Sequence, residues 1–208
     1  MKIKICGITN YEDAKIASDL GADAIGFIFY KNSKRFVSPE NVKNIVDKLP
    51  PFLTKVGVFV NEEADIVNQI MKSCKLNIAQ LHGDENLEYI YKINYPIVKA
   101  LRVSQNYDYN ILSEYSQHNI LLDTYNDENF GGTGESFKWE NIPFEIKQKI
   151  ILAGGVSENN LEEIFHKINP YAIDVSSSLE ILPGKKDHER LIKLFWKLNE
   201  LRKEIEHR

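Results

Sequence analysis

The feature that most constrains the fold is a regular alternation of strand-like and helix-like segments along the whole chain. Short apolar runs of strand length recur with a spacing of roughly 20 to 30 residues, which is the length of one strand plus one crossover helix. Such spacing favours parallel strands joined by helices. The predicted strands cover residues 2–6, 24–29, 55–60, 78–81, 97–103, 120–122, 150–152 and 172–175.

The segments between these strands carry helix signals. Ser38 followed by Pro39 is typical of a helix start, because proline is favoured at the first helical position. Thr9 and Glu12 have the spacing of a capping box. Cys74 falls on the apolar stripe of the third helix pattern, so we interpret it as a core residue.

About eight strands in strict alternation with helices fit either a (β/α)8 barrel or an open, doubly wound sheet. No Gly-x-Gly-x-x-Gly motif follows the first strand, which disfavours a dinucleotide-binding sheet. We therefore predict an α/β protein with a single (β/α)8 TIM barrel domain over residues 1–208. A barrel of this length needs short loops at its non-catalytic end.

Composition narrows the functional classes. The net charge of −4 provides no basic surface for nucleic acid. No apolar run approaches the ~18 residues that a membrane span needs. Two cysteines without a signal peptide indicate a cytoplasmic protein rather than a disulfide scaffold. Those cysteines and five scattered histidines form no recognisable metal site.

In a (β/α)8 barrel, functional side chains lie where strands end and the following loops begin. Polar residues or glycines occur at these points after most of the predicted strands. They are Cys6, Arg35, His82, Arg102, Asp123, Gly154, Gly155, Asp174, Ser176 and Ser177. Because they converge on one end of the predicted barrel, we take them as the candidate site.

Some of these residues also have a purely structural interpretation. Asp123 has the position of a turn residue, and His82 has that of a hydrogen-bonded loop histidine. Asp174 could pair with Lys4, because strands eight and one are neighbours in a closed barrel. These alternatives stay open at the level of the sequence.

Cys6 is a candidate reactive thiol at the end of the first strand. The strand period of two places it on the same face as Lys4, and a lysine beside a cysteine favours the thiolate. We therefore predict that Cys6 acts as a base, with Asp123 as the matching acid.

The loops after strands seven and eight are the usual phosphate site of such barrels. Gly154 and Gly155 allow backbone N–H groups to approach an anion, and Ser176 and Ser177 add donors. Arg35 presents a planar fork suited to a carboxylate or a second phosphate. Together these groups predict proton transfer on a small phosphorylated substrate.

The order of several motifs resembles that of the phosphoribosylanthranilate isomerase family over residues 2–186. The matching motifs are KICGIT at 4–9, GFIF at 26–29, QLHG at 80–83, LDT at 122–124, GGTG at 131–134, AGG at 153–155 and DVSS at 174–177. Several separate motifs in the same order are far more specific than a single glycine-rich loop.

The resemblance implies an enzyme of tryptophan biosynthesis that converts N-(5-phosphoribosyl)anthranilate to 1-(2-carboxyphenylamino)-1-deoxyribulose 5-phosphate, an Amadori rearrangement without a cofactor. It implies Cys6 as general base, Asp123 as general acid and Arg35 as the partner of the anthranilate carboxylate. His82 and Asp174 are then candidate substrate-binding residues. The implied phosphate-binding residues are Gly154, Gly155, Ser176 and Ser177.

The chain departs from the family pattern at two positions. Lys34 stands where the family usually has proline, so the loop that carries Arg35 could be less rigid. Ser178 stands where the family usually has glycine, which would cost strain if φ is positive there.

Two alternatives remain at this level. A non-catalytic sugar-phosphate sensor would need the phosphate loops but neither Cys6 nor Asp123. A related barrel such as indole-glycerol-phosphate synthase would need a catalytic lysine and glutamate set that is not evident. The sequence is compatible with a monomer or a homodimer, and residues 125–135 are long and glycine-rich enough to form a lid, although the sequence does not select the closing loop.

Overall fold

A computed structural model describes residues 1–104, 107–123 and 142–206. Eight parallel strands close into a barrel in the order of the chain, which confirms the predicted (β/α)8 fold. The strands are β1 (Lys2–Ile5), β2 (Ala24–Ile28), β3 (Thr54–Phe59), β4 (Ile78–Leu81), β5 (Ile97–Arg102), β6 (Asn119–Asp123), β7 (Ile150–Ala153) and β8 (Ala172–Val175).

Helical segments lie between the strands, and a small hairpin follows β8. The α-helices are α1 (Tyr11–Asp19), α2 (Pro39–Val46), α3 (Ala64–Ser73), α4 (Leu87–Ile90), α5 (Phe144–Lys147), α6 (Leu161–Glu163) and α7 (His188–Glu206). A π-helical turn (Ile164–Ile168) extends α6, and 3-10 turns cover Tyr109–Tyr115 and Ser177–Leu179. The hairpin pairs β9 (Glu180–Leu182) with β10 (Lys185–Lys186). None of the described helices has both the length and the apolarity that crossing a membrane requires.

The strand period of two separates an outer core from the barrel interior. Ile3 and Ile5 of β1 are fully buried in the large apolar cluster, which also includes buried side chains of the surrounding helices. Alternate positions on the other strands form a smaller cluster that includes Ala100 and Leu121. At the carboxyl ends of β1, β4 and β6, the interior positions hold the polar residues Cys6, His82 and Asp123, and this is where the candidate site lies.

Local helix starts show where the sequence signals were right and wrong. Ser38 caps α2 with Pro39 at the first helical position, as predicted. The Thr9 capping box is wrong: Asn10 caps α1, and the Thr9 hydroxyl instead donates to the carbonyl of Gly184 in the hairpin. The hydroxyl is therefore used to attach the hairpin to the start of α1.

Candidate active site

Cys6 lies at the inner rim of the barrel directly after β1, with only 7% of the residue exposed. Its N–H donates to the carbonyl of Val175 on β8. Gly26 on β2 leaves the space for the thiol, since a Cβ there would lie 2.8 Å from Sγ. A side chain at position 26 would also meet Lys4 Nζ at 3.1 Å. Strands β1, β2 and β8 thus build one narrow compartment around the thiol.

A buried ion pair lies beneath Cys6. Lys4 Nζ donates to Asp174 Oδ2 over 2.7 Å, and each side chain is only 7% exposed. The two residues are register partners where β8 and β1 close the barrel, which confirms the pairing predicted from the sequence. Asp174 Oδ1 is buried without a hydrogen-bond partner among the described residues.

Two opposing effects, burial and the charge of Lys4, set the pKa of the Cys6 thiol. Burial raises the pKa of the Cys6 thiol, while the positive charge of Lys4 lowers it by a smaller amount. Burial by itself lowers the pKa of Lys4, but Asp174 and Cys6 together raise it, so Lys4 stays a cation. Lys4 favours the thiolate, as predicted, but desolvation outweighs its charge, so the pKa of the Cys6 thiol is raised.

Arg35 lies beside the same compartment, in the loop after β2. A Cβ at Gly7 would lie 2.7 Å from Arg35 Cδ and 3.0 Å from Ser176 Oγ, so glycine is needed there, and its φ of 75° also favours glycine. The arginine fork is already engaged by Glu180. Nε lies 2.8 Å from Oε1, and Nη2 lies 2.7 Å from Oε2. These contacts raise the pKa of Arg35.

Lys186 completes this charged group from beneath. Its side chain is fully buried, and Nζ lies 3.0 Å from Glu180 Oε1 and 3.1 Å from the carbonyl of Ser176. Burial alone would raise the pKa of Glu180, but Arg35 and Lys186 together lower it, so the carboxyl is ionised. Burial lowers the pKa of Lys186, and Glu180 offsets this in part.

Asp123 ends β6 at the same end of the barrel and pairs with His82. His82 Nε2 lies 3.1 Å from Asp123 Oδ2, and both side chains are about a fifth exposed, at 22% and 21%. The amide Nε2 of the buried Gln80 lies 3.1 Å from His82 Nδ1. Because an amide nitrogen can only donate, Nδ1 accepts and the ring hydrogen is on Nε2, where it donates to Asp123.

The predicted phosphate loops have the expected backbone form. Gly154 and Gly155 have φ values of 78° and 69°, the left-handed region that favours glycine. Ser176 donates to the carbonyl of Cys6 over 3.2 Å, which joins this loop to the thiol, and Ser177 is exposed. Ser178 lies in a 3-10 turn, and its φ is not positive. Its hydroxyl donates a hydrogen bond to the carbonyl of Val156. Ser178 therefore carries none of the backbone strain that a positive φ would cause.

Three further expectations from the sequence concern Arg102, Cys74 and residues 125–135. Arg102 is exposed at the end of β5 and lines a rim groove together with His82. Cys74 is buried as predicted. The candidate lid at 125–135 lies outside the described residues. In the described part of the chain, no group of three or more His, Cys, Asp and Glu side chains is arranged to hold a metal ion.

Sequence reasoning missed three buried polar residues of the site. Glu180 and Lys186 lie on the hairpin after β8, and no periodic pattern connects them to Arg35. Gln80 was quoted only as part of a motif. Its signal was available, because Gln80 and His82 are two apart and share one face of a strand.

Comparison with known proteins supports a specific family. Residues 3–197 match the family model described as N-(5'phosphoribosyl)anthranilate (PRA) isomerase. The N-(5'-phosphoribosyl)anthranilate isomerase of Trichlorobacter lovleyi is 45% identical over 193 residues, covering 92% of this chain and 94% of that protein.

Two solved structures share the fold closely. The phosphoribosyl anthranilate isomerase of Thermotoga maritima superposes with a TM-score of 0.89 at 40% identity, covering 96% of this chain and 99% of the other. A phosphoribosyl anthranilate isomerase in complex with reduced 1-(o-carboxyphenylamino)-1-deoxyribulose 5-phosphate gives 0.86 at 38% identity, with coverages of 96% and 99%. With this similarity along almost its whole length, the chain belongs to the N-(5'-phosphoribosyl)anthranilate (PRA) isomerase family.

Proposed function

We propose that this chain catalyses the Amadori rearrangement of N-(5-phosphoribosyl)anthranilate to 1-(2-carboxyphenylamino)-1-deoxyribulose 5-phosphate, a step of tryptophan biosynthesis. One observation carries the proposal: a buried thiol next to Lys4 and a partly exposed carboxyl paired with His82 lie at the same end of the barrel. This is the pair of proton-transfer groups that an aldose-to-ketose rearrangement requires.

Asp123 is the general acid in this scheme. Protonated Asp123 gives its proton to the ribose ring oxygen, the ring opens, and the substrate becomes a Schiff base. His82 holds Oδ2 over 3.1 Å, which fixes the carboxyl and leaves Oδ1 for the substrate. A well-placed acid of this kind contributes about 10²- to 10⁴-fold in rate.

Cys6 is the general base. As a thiolate it removes the C2′ proton of the Schiff base, and the resulting enolamine tautomerises to the ketone. The raised pKa keeps the thiolate fraction small at neutral pH but makes that thiolate a stronger base toward carbon. The Lys4 ammonium next to it stabilises the negative charge once it forms.

The two anionic ends of the substrate have separate partners. Arg35 receives the anthranilate carboxylate, and the described residues supply no hydrogen bond to its Nη1. The phosphate binds at Gly154, Gly155, Ser176 and Ser177, whose glycine conformations open the backbone toward an anion. Among the substrate-binding candidates, His82 acts through Asp123, and Asp174 acts through its ion pair with Lys4.

The test is the loss of anthranilate-type fluorescence when the purified protein is added to freshly made phosphoribosylanthranilate. Cys6→Ala and Asp123→Ala should each lower turnover by at least about 10²-fold while the fold is retained. Cys74→Ala, at the other buried cysteine, is the matched control and should keep wild-type turnover. Binding without turnover in the wild-type protein would instead support a sugar-phosphate sensor.

A further inference from the structure

Three charged side chains form a compact group on one side of the candidate site. Arg35 and Lys186 both contact the carboxylate of Glu180, at distances between 2.7 and 3.0 Å. The Gly184 N–H adds a further hydrogen bond to Oε1 over 3.3 Å. Both carboxylate oxygens are therefore saturated, and two cations share one anion.

The net charge of these three side chains determines whether an anion is attracted to Arg35. Arg35 with Glu180 alone would be a neutral pair, and its buried carboxylate would repel a second carboxylate arriving at the arginine. Lys186 adds one positive charge, so the group as a whole is a cation. A charge in this partly buried setting acts on a ligand more strongly than it would in water.

Lys186 also contacts the loop that is proposed to bind the substrate phosphate. Its Nζ donates to the carbonyl of Ser176, whose hydroxyl is hydrogen-bonded to the carbonyl of Cys6. The backbone N–H of Lys186 donates to Asp13 at the start of α1. The lysine is thus held at both ends and connects the Arg35 group with the loop where the phosphate is proposed to bind.

We propose that Lys186 is a positioning residue that gives the Arg35–Glu180 pair a net positive charge and thereby enables Arg35 to bind the substrate carboxylate. The inference rests on the proposed function. Glu180 contributes by orienting the arginine fork, and Lys186 cancels the unfavourable charge that this orientation introduces.

The first test is the steady-state kinetics of Lys186→Met with phosphoribosylanthranilate. Loss of the positive charge should raise KM by about tenfold and change kcat by less than about threefold, because the effect is on binding. A change in kcat alone would overturn the proposal. Thermal unfolding of each variant shows whether the fold is kept.

The double variant Glu180→Gln/Lys186→Met separates charge from structure. It removes one negative and one positive charge, so the group keeps its net positive charge and no unpaired buried ion remains. Its KM should fall back to within about threefold of the wild-type value. If thermal unfolding shows that the double variant is folded and its KM stays as high as that of Lys186→Met, the positive charge is not what Lys186 contributes, and the proposal is overturned. This comparison also decides the matter if Lys186→Met alone does not fold.

A double-mutant cycle with Arg35→Met distinguishes this inference from the proposed function. Arg35→Met should raise KM, and adding Lys186→Met should raise it little further, because the lysine acts through the arginine. If Arg35→Met leaves KM unchanged, the proposed carboxylate site fails. If Arg35→Met raises KM and Lys186→Met does not, only the role of Lys186 fails.

Discussion

The two groups that we propose as base and acid lie in different environments. On one side Cys6 is sealed above the Lys4–Asp174 pair, whose side chains are 7% exposed. On the other side Asp123 and His82 are each about a fifth exposed. Desolvation of the charged form raises the pKa of a buried thiol and makes its thiolate a stronger base, whereas a partly exposed carboxyl can exchange protons with solvent. This difference supports the proposal that Cys6 is the base and Asp123 the acid.

The largest contrast between the two sides should appear in stability. Lys4→Met leaves the Asp174 carboxylate buried without a partner and should lower the free energy of unfolding by about 3–5 kcal/mol. His82→Asn breaks a partly exposed pair and should cost only about 1 kcal/mol or less. Urea unfolding of both variants measures the difference.

The control for this contrast is Lys4→Met/Asp174→Asn, which removes both buried charges. It should recover most of the stability lost in Lys4→Met, because no uncompensated ion remains. Equal losses in Lys4→Met and His82→Asn would show that the two sides do not differ as described.

A smaller effect is expected at Gln80 on the acid side. Gln80→Met removes the donor that keeps the His82 hydrogen on Nε2, so the ring no longer holds Asp123 in one arrangement. Loss of about 1 kcal/mol of hydrogen bonding should lower kcat roughly fivefold with little change in KM. Gln69→Met, at an exposed position on α3, is the matched control. Identical kcat values in the two variants would show that Gln80 does not support catalysis through His82.

The smallest effect concerns Ser178, near the phosphate loop. Ser178→Gly removes the hydrogen bond to Val156 and relieves no strain, so the free energy of unfolding should fall by about 0.5–1.5 kcal/mol. A gain in stability, measured by the same urea unfolding, would mean that the serine is strained after all.

The sequence predicted features that follow from strand period and barrel closure. Lys4, Cys6 and Asp174 could be brought together because period two and the neighbouring ends of the chain define their positions. The rim positions of Asp123 and His82 followed from the same rule.

Features that depend on tertiary packing were not predicted. The contacts of Arg35 with Glu180 and Lys186 require the hairpin after β8 to fold back over the rim, and its turn gives no such signal. The net direction of the thiol pKa shift could not be predicted, because the neighbouring lysine is visible in the sequence, whereas the degree of burial is not.

The most direct test of the central claim is the pH dependence of Cys6 alkylation by iodoacetamide in a Cys74→Ala background. Only the thiolate reacts, and burial raises the Cys6 pKa, so the reactive form appears only as the pH rises past that raised value. The predicted midpoint lies above that of an exposed cysteine in a reference peptide measured under the same conditions, and alkylation should abolish turnover in step with modification. A midpoint below that of the reference peptide, or full turnover after Cys6 is modified, would contradict the account of a buried thiol that is neutral at rest and acts as the base in its thiolate form.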